Sequence, residues 1–503
     1  DRMVGSVQWL AALISGVSVF GMARLLGYPQ RSSAFAALIF MSFPLVALQA
    51  TTTQTDLVTV AFFIPAIYFL ILGIKDGQSA LLSLSAISVG LGIGVKKSYF
   101  ILLPILGMIA LLLVLQYGRR TWKPLLVWSV NLVVAIALLG SYIYVINLRN
   151  FGDIFGSPNY IDNMLEPPQT HNETPSIRPV LARATRRDGF FDSAANGSSI
   201  GRDILLRVIY NTPRLFYQSL DTSGLPDPLD GYGHKVKMRL ARAFFTAIGF
   251  EKIEGTAYTA PGHVFSFSEK NINEESNAWY GPLSVFLILP ALLLQFRRGL
   301  FQRSYLLLIP GAALLIFVPL EIASRLGWDP YQGRYFAPLV ALCAPLMATW
   351  FTRKSNSAFE WLIGVLTVVI IAVTLLYNPS KPTLGRYADE FHVWNNNRLF
   401  IQTIQRKDDR DLYAMVEEHV PSDSTLGYYV PSYILDYPLF GEYLSRRLVP
   451  LGSPSQISDL QWLRSQGIEY FLMPQDGYSN PPAEYRVVSH VNGWKLYVYT
   501  PKP

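Results

Sequence analysis

The sequence predicts an α-helical polytopic membrane protein with a long external loop and a small C-terminal α/β domain, and three observations carry that reading. Only 15% of the 503 residues are charged while 51% are hydrophobic, against roughly 25% charged in an ordinary soluble domain. The deficit is uneven: residues 1–149 and 279–379 are almost continuous apolar runs, whereas 150–278 and 380–503 have the composition of aqueous segments. Finally, the basic residues gather in short clusters at alternate ends of the apolar runs. That placement accounts for the formal net charge of +7 without nucleic acid as a partner. The one cysteine, Cys343, lies within an apolar run, so no disulfide forms within the chain.

A helix crosses the hydrocarbon core with about 20 mainly apolar residues. Ten segments meet that need: 7–26, 33–50, 57–74, 79–95, 99–117, 124–147, 279–296, 305–321, 335–351 and 360–377. Arg24 with Arg31, Lys75, Arg119 with Arg120 and Lys123, Arg297 with Arg298 and Arg303, and Arg353 with Lys354 follow spans 1, 3, 5, 7 and 9. The positive-inside bias makes those connections cytoplasmic. The segment Thr51 to Asp56, the loop 150–278 and the tail 380–503 then face outward. Lys96, Lys97 and Arg334 break the rule, because all three sit at outward ends. Snorkelling explains any one of them alone; three together, near an acidic residue on the same face, point to an anionic ligand.

The loop 150–278 exceeds a simple connector. It carries amphipathic helical patterning, as in Ile204, Leu205, Val208, Ile209 and Leu215 to Tyr217, suited to a membrane surface. Asn172 and Asn196 open glycosylation-type triplets that are too common to carry weight. In the tail, helices are expected at Asp411 to His419 and Ile457 to Gln466, and strands at Thr425 to Val430 and Ile468 to Met473. Tyr485 to Val491 and Trp494 to Tyr499 flank Asn492-Gly493, the pair that suits a two-residue hairpin turn.

Chemistry-bearing residues concentrate at the outward ends. Thr51-Thr52-Thr53-Gln54-Thr55-Asp56 opens span 3, and there Thr55 or Asp56 either caps the helix or serves a site. Lys96 and Lys97 end span 4, where a cation favours the helix C-terminus or holds a phosphate at headgroup level. Arg334, in Gln332-Gly333-Arg334-Tyr335-Phe336-Ala337-Pro338, presents a fork of donors that fits a phosphate bidentately. Glu321 and Arg325, four apart, read as an interfacial ion pair. Asn273-Glu274-Glu275-Ser276-Asn277 leads into span 7, and Glu275 suits catalysis, metal binding or plain solvation. The six histidines make no HExxH or close pair, and no GxSxG or Gly-rich phosphate loop occurs.

With those residues in hand, the chain resembles the bacterial membrane glycosyltransferases of the GT-C fold. These are relatives of the protein O-mannosyltransferases, the lipid A aminoarabinose transferase and the Rgt-type lipopolysaccharide transferases. The likeness runs over about residues 5–380. It rests on Thr53-Gln54-Thr55-Asp56-Leu57 leading into Val60-Ala61-Phe62-Phe63, on Gly94-Val95-Lys96-Lys97, and on the segment Gln332 to Pro338. The resemblance implies inverting transfer of a sugar from a polyprenyl-phosphate donor to a lipid-linked glycan or protein acceptor at the outer face, in a bacterial inner membrane. It makes Gln54, Lys96, Lys97, Arg334 and Tyr335 substrate-binding residues, and Asp56 and Glu275 catalytic candidates. No cofactor is evident in the sequence, although the resemblance admits a divalent metal. Relatives carry the catalytic carboxylate in a first external loop that would precede Asp1. The chain is therefore expected to be a fragment, or else Glu275 or Asp56 acts as base. A polytopic lipid or glycan transporter is the alternative, though no repeat or paired intramembrane charge supports it.

Overall fold

The computed structural model describes residues 4–151, 154–155, 199–271, 274–352, 357–381, 383–384, 393–404, 406–429, 434–451, 454–475 and 481–500. Those up to Pro379 form one compact unit and those from Ser380 onward a second.

The first unit is a helical membrane bundle. Its elements are α1 (Val4–Leu25), α2 (Gln30–Ser42), α3 (Pro44–Gln49), α4 (Asp56–Asp76), α5 (Ser79–Val95), α6 (Leu103–Tyr117), α7 (Trp122–Ala135) and α8 (Tyr142–Phe151). Then follow α9 (Ser199–Ser219), α10 (Asp227–Ala247), α11 (Pro282–Gln302), α12 (Ile309–Ala323), α13 (Ala337–Cys343) and α14 (Ser357–Leu376). Seven helical stretches among the described residues are long and apolar enough to cross a membrane. The expected count of ten differs for local reasons. Segment 33–50 breaks at Phe43, whose extended backbone (φ −57°, ψ 133°) precedes Pro44 and ends α2. The apolar helix over 79–95 has only 17 residues. Segment 99–117 and most of 124–147 fall in one helical stretch, Lys97–Gly140, interrupted at Gly118, whose φ of +67° suits glycine.

Contacts between span ends fall into two groups. Tyr28 bonds Thr349 at 2.8 Å, Gln295 donates to Thr349 at 3.0 Å, and the Tyr305 amide donates to Gln116 at 2.7 Å. Arg31 pairs with Glu360 in the same group. In the other group the Leu45 amide donates to the Trp279 carbonyl at 2.8 Å and Lys96 meets Asp56 at 2.5 Å. This is the grouping that alternate basic clusters require. The glycine-rich end of α5 sets its packing: Gly90 and Gly94 lie against the Ala135 and Leu139 carbonyls, leaving no room for a side chain. Gly92, on the opposite face, receives the Tyr99 ring, which is wholly buried beside Phe63.

The second unit is a small α/β domain with α15 (Arg398–Gln402), α16 (Arg410–His419), α17 (Pro454–Ser458) and α18 (Leu460–Ser465). Its strands are β1 (Thr425–Tyr428), β2 (Arg447–Pro450), β3 (Tyr470–Pro474), β4 (Tyr485–Val491) and β5 (Trp494–Tyr499), in the order β2-β1-β3-β5-β4. β1 is parallel to β2 and β3, and the other pairings are antiparallel. Asn492 and Gly493 both adopt positive φ, as the expected hairpin turn demands. The expected helix over 457–466 divides at Asp459, whose carboxylate caps the Trp462 amide at 3.0 Å. Strand β2 was not anticipated, because Arg-Leu-Val-Pro is short and ends in proline at a sheet edge.

Candidate active site

The threonine-rich segment between α3 and α4 divides its labour. Thr51 and Thr52 donate their hydroxyls to the Leu48 and Gln49 carbonyls at 2.9 and 3.0 Å, closing the C-terminal end of α3. Neither Thr55 nor Asp56 caps α4 through its side chain. The buried Asp56 carboxylate instead accepts from Lys96 Nζ at 2.5 Å. Lys96 reaches it because α5 stops there: its backbone is extended (φ −155°, ψ 129°), and a 3₁₀ turn, Lys97–Leu102, follows. The same break leaves Lys97 exposed.

The third sequence motif comes to the same place. Asp329 accepts from the Tyr331 amide at 2.8 Å and caps a 3₁₀ turn, Pro330–Phe336, that delivers Arg334 and Tyr335. Three cations surround the Tyr335 ring: Arg325 at 3.6 Å from its centroid, Lys96 at 4.9 Å and Arg334 at 4.9 Å. Arg334 Nη2 also donates to the Tyr335 hydroxyl at 2.8 Å. Arg325 is held by the buried Glu321 carboxylate and lies 3.7 Å from Asp329. Asp56, Thr59, Ser98, Glu321, Arg334 and Tyr335 line one small cavity floored by Leu102, Phe317 and Pro338.

The charges around this cavity do not balance pair by pair. Asp56 is taken by Lys96, and Glu321 and Asp329 by Arg325. Arg334 has no carboxylate partner among the described residues, and its buried Nε–H has no hydrogen-bond acceptor. An unmatched guanidinium beside two buried ion pairs is a site for an anion. No group of three or more candidate metal ligands occurs among the described residues.

Glu275 and Gln54 lie in an adjoining network and do not line the cavity. Gln49 Nε2 donates to the Gln54 side chain at 2.5 Å and to the Glu275 carbonyl at 2.9 Å. Gln54 reaches Ser276 at 3.4 Å, and the buried Glu275 carboxylate accepts from Asn378 at 3.3 Å. Burial, reinforced by the charge of Glu275, raises the neighbouring Glu274 carboxyl above the usual range. This network fastens segment 274–281 to α3. Glu321 and Arg325 form the ion pair that their four-residue spacing leads one to expect, and Glu321 in addition lines the cavity. Their signal is the motif Glu-x-x-x-Arg directly before Trp328–Pro338, which only the fold turns toward Asp56.

The architecture defines a multi-pass helical membrane protein that gathers cations around one tyrosine at the ends of its spans. Residues 2–144 match the family model described as dolichyl-phosphate-mannose-protein mannosyltransferase. The match meets the resemblance drawn from the sequence and covers the elements that carry Asp56 and Lys96. Comparison with curated proteins gives no match. Among solved structures, ArnT from Cupriavidus metallidurans bound to undecaprenyl phosphate is similar at 13% identity and TM-score 0.47, over 98% of this chain and 83% of that one. The Archaeoglobus fulgidus oligosaccharyltransferase, in complex with Zn and sulfate, is similar at 14% identity and TM-score 0.46, over 94% of this chain. The present chain spans 56% of that archaeal protein. The mycobacterial arabinofuranosyltransferase AftD is similar at 14% identity and TM-score 0.37, over 98% of this chain and 33% of that one.

Proposed function

We propose that this chain is an integral membrane glycosyltransferase that moves a sugar from a polyprenyl-phosphate donor to a lipid-linked glycan or protein acceptor at the outer face of a bacterial inner membrane. The observation that carries the reading is Arg334: a cavity-lining guanidinium with no carboxylate partner among the described residues and a buried, unsatisfied Nε–H. Such a group favours a ligand whose negative charge grows during reaction, as on a departing lipid phosphate. Lys96 adds a second cation across the Tyr335 ring, and the family match over residues 2–144 supports the donor class. Lys97, exposed at the same helix end, acts in this reading as a headgroup contact outside the cavity.

In the inverting reaction the acceptor oxygen forms a bond to the anomeric carbon as the bond to the donor phosphate breaks. The phosphate leaves with the electron pair, and the acceptor proton passes to a carboxylate. Asp56 and Glu321 are the carboxylates that line the cavity, whereas Glu275, Gln54 and Gln49 belong to the adjoining network that fastens segment 274–281 to α3. Radiolabelled polyprenyl-phosphate sugars, offered to the protein in vesicles with extracted envelope lipids and proteins as acceptors, test the proposal. Transfer that requires Arg334 supports it. Binding of donors equally well by wild type and Arg334→Ala, with transfer by neither, would falsify it.

A further inference from the structure

Helix α10 has two apolar faces. His234, Met238, Ala241 and Phe245 are buried in, or packed against, the core of the membrane unit. Leu229, Tyr232, Val236, Leu240 and Phe244 form the other face, and Leu240 and Tyr232 are 67% and 71% exposed. At about 100° per residue, Leu229, Val236 and Leu240 fall within about 40° of one another, so the exposed residues make one continuous stripe. Helix α9 repeats the arrangement with exposed Leu205, Ile209 and Phe216.

The stripe has charged flanks of unequal character. Lys237 lies over the Tyr217 ring at 4.3 Å, and Arg242 is paired with Glu254 at 3.3 Å. Lys235 and Arg239, one turn apart on the flank opposite Lys237, are exposed and have no ion pair among the described residues. The stripe also runs into an apolar groove of about 640 Å³ between α11 and α14, which Leu229 and Tyr232 line together with Phe286, Pro290, Phe359 and Ile370. Both flanking helices are long and apolar enough to cross a membrane, which favours an acyl chain as the occupant of that groove.

We propose that α10 is an in-plane membrane anchor that holds an anionic phospholipid of the surrounding bilayer, its acyl chain in the α11–α14 groove and its phosphate on Lys235 and Arg239. Apolar area sinks the stripe below the headgroups, and the unpaired cations supply selectivity for negative charge. A protein partner is the disfavoured occupant, because it would have to cover a groove between two helices long and apolar enough to cross a membrane. The inference is independent of the sugar-transfer reading.

The full chain, in vesicles of equal phosphatidylcholine and phosphatidylglycerol, provides the test. A nitroxide on Leu240→Cys, in a Cys343→Ser background, should collide more with dissolved oxygen than with a water-soluble nickel complex. Native mass spectrometry after gentle extraction should find phosphatidylglycerol retained over phosphatidylcholine. That preference should fall roughly 25-fold in the Lys235→Ser/Arg239→Ser double variant, about five-fold per cation. The charge-conserving pair Lys235→Arg/Arg239→Lys should keep it, which separates loss of charge from misfolding. A nickel-accessible label, equal retention of the two lipids, or an unchanged preference in the serine variant would each overturn the proposal.

Discussion

Two buried carboxylates, at opposite ends of the bundle, each hold a cation that also rests near an aromatic ring, yet they differ in what surrounds them. Glu360 pairs with Arg31, which is 62% exposed and lies 5.9 Å from the Phe35 ring. Among the described residues that pair matches one cation to one carboxylate, although the buried Glu360 Oε1 has no further hydrogen-bond partner. Asp56 pairs with Lys96 beside Tyr335, but there Arg325 and Arg334 join the same ring, and among the described residues Arg334 is left without a carboxylate. A buried ion pair is weak evidence of function by itself. Surplus charge in an enclosed place is the distinguishing feature.

The comparison breaks most directly at Arg334. Replacing it with alanine should lower the transfer rate about 10²–10³-fold, the usual cost of removing one donor aimed at developing charge. Arg334→Lys should recover little, because the planar fork is lost. Arg31→Lys, at the opposite face, should leave transfer within experimental error. Equal losses from both arginines would mean that charge at either face is merely structural.

Packing beneath the site offers the next largest effect. A methyl group at Gly92 would come 2.1 Å from Tyr99 Cε2. Gly92→Ala should therefore destabilise the fold by about 1–3 kcal/mol and displace the turn that carries Lys96. Gly107→Ala, where nothing lies within 4 Å, should be neutral or slightly stabilising. Thermal unfolding in detergent, followed alongside transfer, distinguishes the two.

A third charged cluster sits on the buried side of α10. Burial, then Lys237, lowers the His234 pKa, with the Ser268 carbonyl opposing and Lys270 assisting. A depressed folded value means that the associated stability is present above the ordinary histidine value of about 6.5 and is lost as pH falls through the lower folded value. His234→Asn should flatten that acid-side decline in melting temperature. An unchanged pH profile would remove His234 as its source.

The smallest effect is expected at the Arg31–Glu360 pair. Glu360→Gln should cost under about 1 kcal/mol, since Arg31 is largely solvated, and should leave transfer unchanged. A large loss of transfer there would erase the contrast between the faces.

The sequence by itself determined the elements that depend on local rules. Long apolar runs and alternate basic ends marked the membrane helices, and Asn492-Gly493 fixed a hairpin, because hydrocarbon length and turn geometry act within a few residues. It also brought forward Lys96, Lys97 and Arg334 as exceptions to the charge bias, near Asp56 on the same face. What only the tertiary structure decided was which exceptions meet. Lys96 turns toward Asp56 while its neighbour Lys97 stays exposed, and Glu321 enters the cavity while Glu275 is bound to Asn378. Those outcomes depend on where Gly92 admits Tyr99 and where Phe43 breaks α2. The reason is that a residue's sidedness follows from counting along its own helix, but its partner follows from the rotation and approach of helices far apart in the chain.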